Sequence, residues 1–189
     1  MRQTKTINIY GGPGVGKSTA AADVFATLKK QGYSCELVDE FAKGLTWDAS
    51  AIEIADQVFC LGNQYHKMKR LQGKVDFIIT DSPILLNIVY GTRNGYSSAA
   101  FQKLVLELSG TFWGYHFLLE RDTEFDTAGR VHNEAESLEI DKDIKQVLTS
   151  VFGVPRLEPF HIEMYGKDNL VMSTTPKNVL QDVLSCIKQ

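Results

Sequence analysis

The chain has 189 residues, 43% of them hydrophobic and 23% charged, a size and composition typical of one domain with one sizeable core. Its formal net charge of −3 argues against a generally basic protein that coats nucleic acid, although a local basic groove is compatible with that charge. The three cysteines are widely spaced, and no apolar run approaches about 18 residues, which argues against a disulfide framework, a zinc site and a membrane span.

Strands and helices alternate along the chain, which is the pattern of an α/β domain with a mainly parallel sheet. Short apolar runs predict strands, in chain order, at residues 6–10, 34–38, 75–80, 115–119 and 161–165. Amphipathic segments predict helices at residues 17–31, from Asp48 as N-cap towards Leu71, at 98–108, at 134–150 and from Thr175 onward. Turn formers predict a loop at 91–98, and a charged loop is expected at 120–133. We expect a single domain over residues 1–189.

A phosphate-binding pattern, G-x-x-x-x-G-K-[ST], follows the first predicted strand and opens the first predicted helix. The candidate nucleotide-binding residues of this P-loop are Gly11, Gly12, Pro13, Gly14, Val15, Gly16, Lys17, Ser18 and Thr19. Gly11 and Gly16 permit backbone angles that let the N–H groups face a β-phosphate. Lys17 can bridge the β- and γ-phosphates, and the Ser18 hydroxyl can ligate Mg²⁺. The alternative, a glycine-rich turn with an accidental lysine, does not explain why a strand precedes the pattern and a helix follows it.

Acidic residues follow two other predicted strands. Asp81 comes directly after the apolar run at 75–80 and is the best-placed carboxylate for the Mg²⁺ hydration shell, although an Asp before Pro83 can also cap a turn. Asp39 and Glu40 follow the second predicted strand, on the expected acceptor side of the P-loop. One of them could take a proton from an attacking hydroxyl, and Glu40 is slightly preferred. The alternatives are a solvated strand end, or an acid paired with Lys43 on the next turn.

The charged loop after the fourth predicted strand carries two arginines, Arg121 and Arg130. A loop that closed over the triphosphate would exclude water and bring guanidinium groups to the γ-phosphoryl group. We therefore predict a lid at about residues 121–136 with at least one catalytic arginine. Surface pairing of these arginines with neighbouring acids is the alternative.

The P-loop, the acid after strand two, the Asp-Ser-Pro segment after strand three and the arginine-bearing loop after strand four together resemble P-loop kinases of small metabolites and nucleic acids. These include nucleoside kinases, nicotinamide riboside kinases and polynucleotide 5′-hydroxyl kinases. In style the chain is most similar to small bacteriophage-encoded kinases that act on modified nucleotides or on hydroxymethylated bases in DNA. The resemblance covers residues 11–129.

The resemblance implies a three-layer P-loop NTPase fold with five parallel strands in the order 2-3-1-4-5. It also implies ATP and Mg²⁺ held by Lys17, Ser18 and Asp81, a base at Asp39 or Glu40, and lid arginines at Arg121 and Arg130. The chain departs from thymidylate- and deoxynucleoside-kinase-like proteins at Ser82, where those proteins often have an arginine. This weakens a monophosphate kinase interpretation, although Arg93 or Arg70 could substitute.

The leading hypothesis is an ATP-dependent kinase of a hydroxyl on a nucleoside, nucleotide or nucleic acid, with 5-hydroxymethylpyrimidine in phage DNA as one candidate. The alternatives are a nucleoside monophosphate kinase and an ATPase or switch that acts on a protein partner. Trp47, Phe59, Tyr65 and Tyr90 could stack on a base, although aromatic residues at such spacings more often belong to a core. The polar start of the chain and its unpaired cysteines predict a cytoplasmic protein, in the host cytoplasm if phage-encoded. The sequence predicts no oligomeric state.

Overall fold

The computed structural model of the protein describes residues 3–48, 50–121, 134–153, 163–165 and 169–188. The strands in these ranges are β1 Lys5–Tyr10, β2 Cys35–Val38, β3 Phe77–Thr80, β4 Gly114–Leu119, β5 Glu163–Tyr165 and β6 Asn169–Thr174. The helices are α1 Lys17–Lys30, α2 Phe41–Trp47, α3 Ala51–Ala55, α4 Gln57–Lys69, α5 Leu86–Arg93, α6 Ala99–Ser109, α7 Glu134–Phe152 and α8 Val179–Ile187. None of the helices in the described ranges combines the length and apolar character that a bilayer crossing demands.

The sheet has the strand order β2-β3-β1-β4-β6-β5. Its first five strands in this order pair in parallel, and β5 pairs antiparallel with β6 at the edge. The predicted order of five parallel strands, 2-3-1-4-5, is therefore confirmed, and the fold is that of a P-loop NTPase.

The fifth parallel strand is not the predicted one. The segment predicted for it, 161–165, overlaps β5, whereas β6 lies next to β4, with Phe117 opposite Met172. Val171 and Met172 are buried on opposite faces of the sheet, as expected of a strand covered by helices on both sides. The prediction was wrong because both segments have strand-like composition, and only the pairing of β6 with β4 distinguishes them.

Hydrophobic layers cover both faces of the sheet. One layer packs α1 and α8 against alternate strand residues such as Ile7, Ile9 and Phe117. The other packs α4, α5, α6 and α7 against the opposite strand residues, such as Tyr10, Ile78 and Leu118. The result is the predicted three-layer arrangement, with the carboxyl ends of the parallel strands at one edge of the sheet.

The segment predicted as one long helix from Asp48 instead forms two helices, α3 and α4, and the unpredicted helix α2 precedes it. Asp56 interrupts it because its side chain accepts hydrogen bonds from the amides of Val58 (3.1 Å) and Phe59 (3.0 Å), which caps α4. Asp48 lies at the carboxyl end of α2 and caps no helix start. The short helices that result place the chain after β2 beside the carboxyl edge of the sheet.

Two other boundaries differ from the sequence-based expectation. The loop expected at 91–98 is helical up to Arg93. Gly91 is a helix residue that Phe101 packs against, since a Cβ at this position would lie 2.5 Å from Phe101 Cε1. The last helix begins at Val179, and residues 175–178 form a turn in which the amide of Asn178 donates to the carbonyl of Thr175.

Candidate functional site

The P-loop connects β1, the central strand of the parallel sheet, to α1. Gly14 and Gly16 have φ angles of 86° and 94°, in the left-handed region that side chains disfavour, and Gly16 directly precedes the helix. The α1 N-terminus, whose first amides face away from the helix and carry its positive dipole end, therefore lies at the end of the sheet. This local geometry is a cradle for an anion such as phosphate.

Lys17, the P-loop lysine, donates from Nζ to the carbonyl of Gly12 at 2.9 Å. Burial lowers the pKa of its ammonium from the ordinary value of 10.5, while the nearby carboxylates of Glu40, Asp81 and Asp141 oppose this change. Of these three carboxylates, Glu40 has the largest effect. A poorly hydrated cation at this position gains more from an incoming phosphate than an exposed lysine would.

Ser18 and Asp81, predicted from the motif and from the end of the third strand, are in direct contact. The Ser18 hydroxyl donates to Asp81 Oδ2 at 2.6 Å. The second carboxylate oxygen of Asp81, Oδ1, is buried without a hydrogen-bond partner among the described residues. Such an oxygen costs free energy unless a cation or water satisfies it, and Mg²⁺ is commonly held through one or two carboxylates plus waters and substrate phosphates. The two side chains fit a Mg²⁺ site.

A cleft of about 290 Å³ adjoins the P-loop at the carboxyl edge of the sheet. Its lining combines Asp81 and residues of α1 with residues from the end of β2 and from α2: Ser18, Ala21, Leu37, Asp39, Glu40, Lys43, Gly44, Trp47 and Asp81. The structure thus brings Asp39 and Glu40 to the same cleft as Ser18 and Asp81. Trp47 is 76% exposed at this cleft and does not belong to the core.

The surroundings of Asp39 and Glu40 differ. Asp39 has a side chain that is 77% exposed and accepts a hydrogen bond from Lys67 Nζ at 2.7 Å. The alternative considered for an acid at this strand end was pairing with Lys43, but Asp39 pairs with Lys67 of α4. Glu40 is half-buried and lies at the start of α2. Its carboxylate is close enough to Lys17 to oppose the lowering of the lysine pKa that burial causes. Glu40 is therefore electrostatically connected to the P-loop.

Arg121, the first predicted lid arginine, lies against the P-loop. Its Nη2 donates to the carbonyl of Pro13 at 2.8 Å, and its Nε donates to Asp141 Oδ2 at 2.5 Å. Arg121 is thus paired with an acid, but the acid comes from α7 and not from its own loop. Arg130 and most of the predicted lid, 122–133, lie outside the described residues.

Sequence reasoning missed two residues of this region. Asp141 accepts a hydrogen bond from the Gly12 amide at 2.5 Å, across 129 positions of sequence. Gln64 is buried in α4, where its carbonyl accepts from the Phe41 amide (3.0 Å) and its amide donates to the Thr80 hydroxyl (3.5 Å). A glutamine on the buried stripe of α4 was a detectable signal, because a polar residue there needs a partner. Asp141 gave no such signal.

The AAA domain family matches residues 6–158 of the chain. The chain belongs to this family. The matched range of this AAA domain includes the P-loop, Asp39, Glu40, Asp81 and α7. No curated protein sequence matches the chain.

Solved structures with a similar fold include a deoxyadenosine kinase from M. mycoides. One structure of that enzyme, with dCMP and a flexible dCDP bound, is 14% identical to this AAA domain and has a TM-score of 0.53, covering 97% of this chain and 98% of that one. A second, with dATP bound, is 15% identical at the same TM-score and covers 97% of this chain and 100% of that one. The APS kinase of Mycobacterium tuberculosis is 17% identical at a TM-score of 0.42, covering 78% and 99% of the two chains. At 14% and 15% identity, the likeness to the two deoxyadenosine kinase structures shows the fold alone.

Proposed function

We propose that the protein is an ATP-dependent kinase that transfers the γ-phosphoryl group to a hydroxyl of a nucleoside, nucleotide or nucleic acid. The observation that carries this proposal is the shared cleft, in which Ser18 and Asp81 of the donor side and Asp39 and Glu40 of the acceptor side line one volume. Phosphoryl transfer depends mainly on positioning and on charge stabilisation, so it requires the two sides to meet in this way.

On the donor side, the P-loop amides and the α1 N-terminus bind the β-phosphate, and Lys17 bridges the β- and γ-phosphates. Ser18 and Asp81 hold Mg²⁺, which neutralises charge on the β- and γ-phosphate oxygens when bound. Arg121 lies at the Pro13 edge of the loop, where a guanidinium group can stabilise charge on the transferring group. Arg130 stays a predicted second arginine.

On the acceptor side, Glu40 receives the proton of the attacking hydroxyl. The hydroxyl oxygen forms a bond to the γ-phosphorus, the bond from that phosphorus to the bridging β–γ oxygen breaks, and ADP leaves with that oxygen. Glu40 is the better base because it is half-buried beside Lys17, whereas Asp39 is exposed and paired with Lys67.

The charges of the cleft favour a hydroxyl acceptor over a monophosphate. Among the described residues, its ionisable lining consists of Asp39, Glu40, Asp81 and Lys43 and includes no arginine. Nearby, Lys67 pairs with Asp39 and Lys17 interacts with Glu40. A phosphate acceptor requires arginines, but Arg93 is bound to Asp143 at 2.6 Å on the surface between α5 and α7. Trp47 at the rim offers an exposed aromatic face for a base. A nucleoside, a 5′-hydroxyl end and a hydroxymethylated pyrimidine in DNA each offer a base together with a hydroxyl acceptor.

The proposal is tested by transfer of label from γ-labelled MgATP to a panel of acceptors. The panel contains nucleosides, monophosphates, 5′-hydroxyl oligonucleotides and DNA with hydroxymethylated pyrimidines. We expect label on a hydroxyl acceptor, abolished by Lys17→Ala and by Glu40→Gln. Label on monophosphates alone would identify a monophosphate kinase, and label released only as free phosphate would identify an ATPase or switch.

A further inference from the structure

Asp141 of α7 contacts the P-loop and the lid arginine with the two oxygens of one carboxylate. Its Oδ1 accepts from the Gly12 amide and its Oδ2 accepts from Arg121 Nε, each at 2.5 Å. Arg121 completes a ring of contacts by donating from Nη2 to the carbonyl of Pro13. The side chains of Arg121 and Asp141 are only 17% and 23% exposed, so this pair is shielded more than an ordinary surface ion pair.

The close approach of α7 depends on the absence of a side chain at Gly12. A Cβ at this position would lie 2.6 Å from Asp141 Oδ1 and 2.8 Å from the carbonyl of Ser137. The variable positions of the phosphate-binding pattern do not require glycine at position 12. The contact with α7 supplies a physical reason for that residue.

A carboxylate beside a triphosphate site has an electrostatic cost. Asp141 is close enough to Lys17 to affect its pKa, and it would therefore repel an incoming triphosphate if its charge were not compensated. Arg121 supplies the compensating charge. A carboxylate at this position therefore needs a structural role that offsets its electrostatic repulsion of the triphosphate.

We infer that Asp141 is a positioning residue that holds the Arg121 guanidinium against the P-loop and thereby joins α7 to the nucleotide site. This inference rests on the proposed function, because it assigns Arg121 to the phosphate end of bound ATP. The charge balance implies a specific non-additivity: loss of Arg121 leaves an uncompensated carboxylate beside the triphosphate, and neutralising Asp141 removes that repulsion.

The chain contains a matched control pair on the same helix. Asp143 accepts from Arg93 Nη2 at 2.6 Å and from Arg93 Nε at 3.1 Å, two positions further along α7. That pair is also an arginine–aspartate pair between two elements, but it does not contact the P-loop. Substitutions in it report the effect of losing an ion pair from α7 without changing the nucleotide site.

The experiment is a double-mutant cycle of Arg121→Ala and Asp141→Asn, with Arg93→Ala and Asp143→Asn as the control cycle. MgATP affinity is measured by calorimetry, and kcat and KM are measured with the acceptor that the labelling panel identifies. We expect Asp141→Asn to lower kcat about tenfold with a smaller change in the KM for ATP, since it loosens Arg121 without removing it. We expect Arg121→Ala to weaken ATP binding, and the double variant to bind ATP more tightly than Arg121→Ala alone.

Additive losses in ATP affinity along the Arg121–Asp141 cycle, or equal effects of Asp141→Asn and Asp143→Asn on kcat, would overturn the inference. Asp141→Glu is the second variant if Asp141→Asn is poorly folded, since it keeps the charge but moves it from the position that meets Gly12 and Arg121. It should lower kcat with an unchanged unfolding temperature, and full activity would contradict the inference. If wild type and Lys17→Ala both fail to bind MgATP, the proposed function itself is wrong and the inference fails with it.

Discussion

Glu40 and Asp39 are neighbours in the sequence, but their carboxylates have different surroundings. Glu40 is half-buried at the start of α2 and interacts with Lys17, whereas Asp39 is exposed and bound to Lys67. We therefore expect Glu40→Gln to lower kcat about a hundredfold or more, as for loss of a general base. We expect Asp39→Asn to lower it less than about fivefold, since an exposed ion pair contributes about 1 kcal/mol or less.

Both variants are compared by steady-state kinetics with the acceptor that accepts label, and MgATP affinity serves as the control for an intact donor site. A larger loss from Asp39→Asn than from Glu40→Gln would assign the base to position 39 and contradict this prediction.

Lys17 gives the nucleotide site a pH dependence. Burial lowers the pKa of its ammonium below 10.5, and only the protonated form attracts phosphate. The affinity for MgATP should therefore be full below the folded-state pKa and fall as the pH rises through it, by up to about tenfold per pH unit. Calorimetric titrations at increasing alkaline pH measure this decline, and the Lys17→Ala variant, already weak, should not show it. A constant wild-type affinity up to pH 10.5 would contradict a lowered pKa.

At the scale of elements, Asp56 has the capping role that the sequence suggested for Asp48. Replacing Asp56 with Ala removes the side-chain acceptor for the amides of Val58 and Phe59, so we expect a loss of about 1 kcal/mol in the free energy of unfolding. The matched substitution Asp48→Ala should change it by less than about 0.5 kcal/mol. Chemical denaturation of both variants makes the comparison. A greater loss from Asp48→Ala would restore the prediction of one helix from position 48.

The accuracy of the predicted elements differs along the chain. The strands at 6–10, 75–80 and 115–119 and the helices at 98–108 and 134–150 were predicted close to their observed bounds, because their apolar periodicity and end signals agree locally. The helices α3 and α4 were predicted as one, because the amphipathic pattern continues through Asp56 whereas the helical backbone is interrupted there. The helix α2 was not predicted. The fifth parallel strand was misplaced for a non-local reason, since pairing with β4 decides it.

In the candidate site, too, the residues in local motifs were predictable, whereas those placed by tertiary packing were not. The P-loop and Asp81 follow from a local motif and from a strand end, and the structure brings Ser18 and Asp81 into contact. Asp141 contacts Gly12 although 129 positions separate them in the sequence. The sequence around Asp141 has only the pattern of an ordinary amphipathic helix. Its proximity to the P-loop exists only after α7 has packed on the sheet. The roles assigned to all of these residues stay predictions.

At the scale of the whole molecule, the cysteines probe two different parts of the fold. Cys35 and Cys186 belong to the core layer formed with α1 and α8, whereas Cys60 lies in α4, where its thiol donates to the carbonyl of Glu53 in α3 at 3.4 Å. All three thiols are buried, and burial raises the pKa of each, that of Cys186 to about 11. At neutral pH they are therefore protonated and shielded, so a thiol reagent reaches them only when the structure opens.

This arrangement connects nucleotide binding to thiol reactivity. If MgATP binds the folded state alone, a concentration of about 100 times its dissociation constant slows any opening that unfolds the whole molecule about a hundredfold. Cys35 should show this full protection, because it lies in β2 and is paired with β3 in the sheet. Cys186 lies in the last turn of α8 and reports the opening of that helix. Cys60 should be protected less, because the short helix α3 can separate from α4 in a smaller opening.

Timed modification of single-cysteine variants measures each rate, and the Lys17→Ala background should abolish the protection by MgATP. Equal protection of all three thiols would show that α3 opens only with the rest of the fold, and rapid labelling of Cys35 without unfolding would contradict its place in the core.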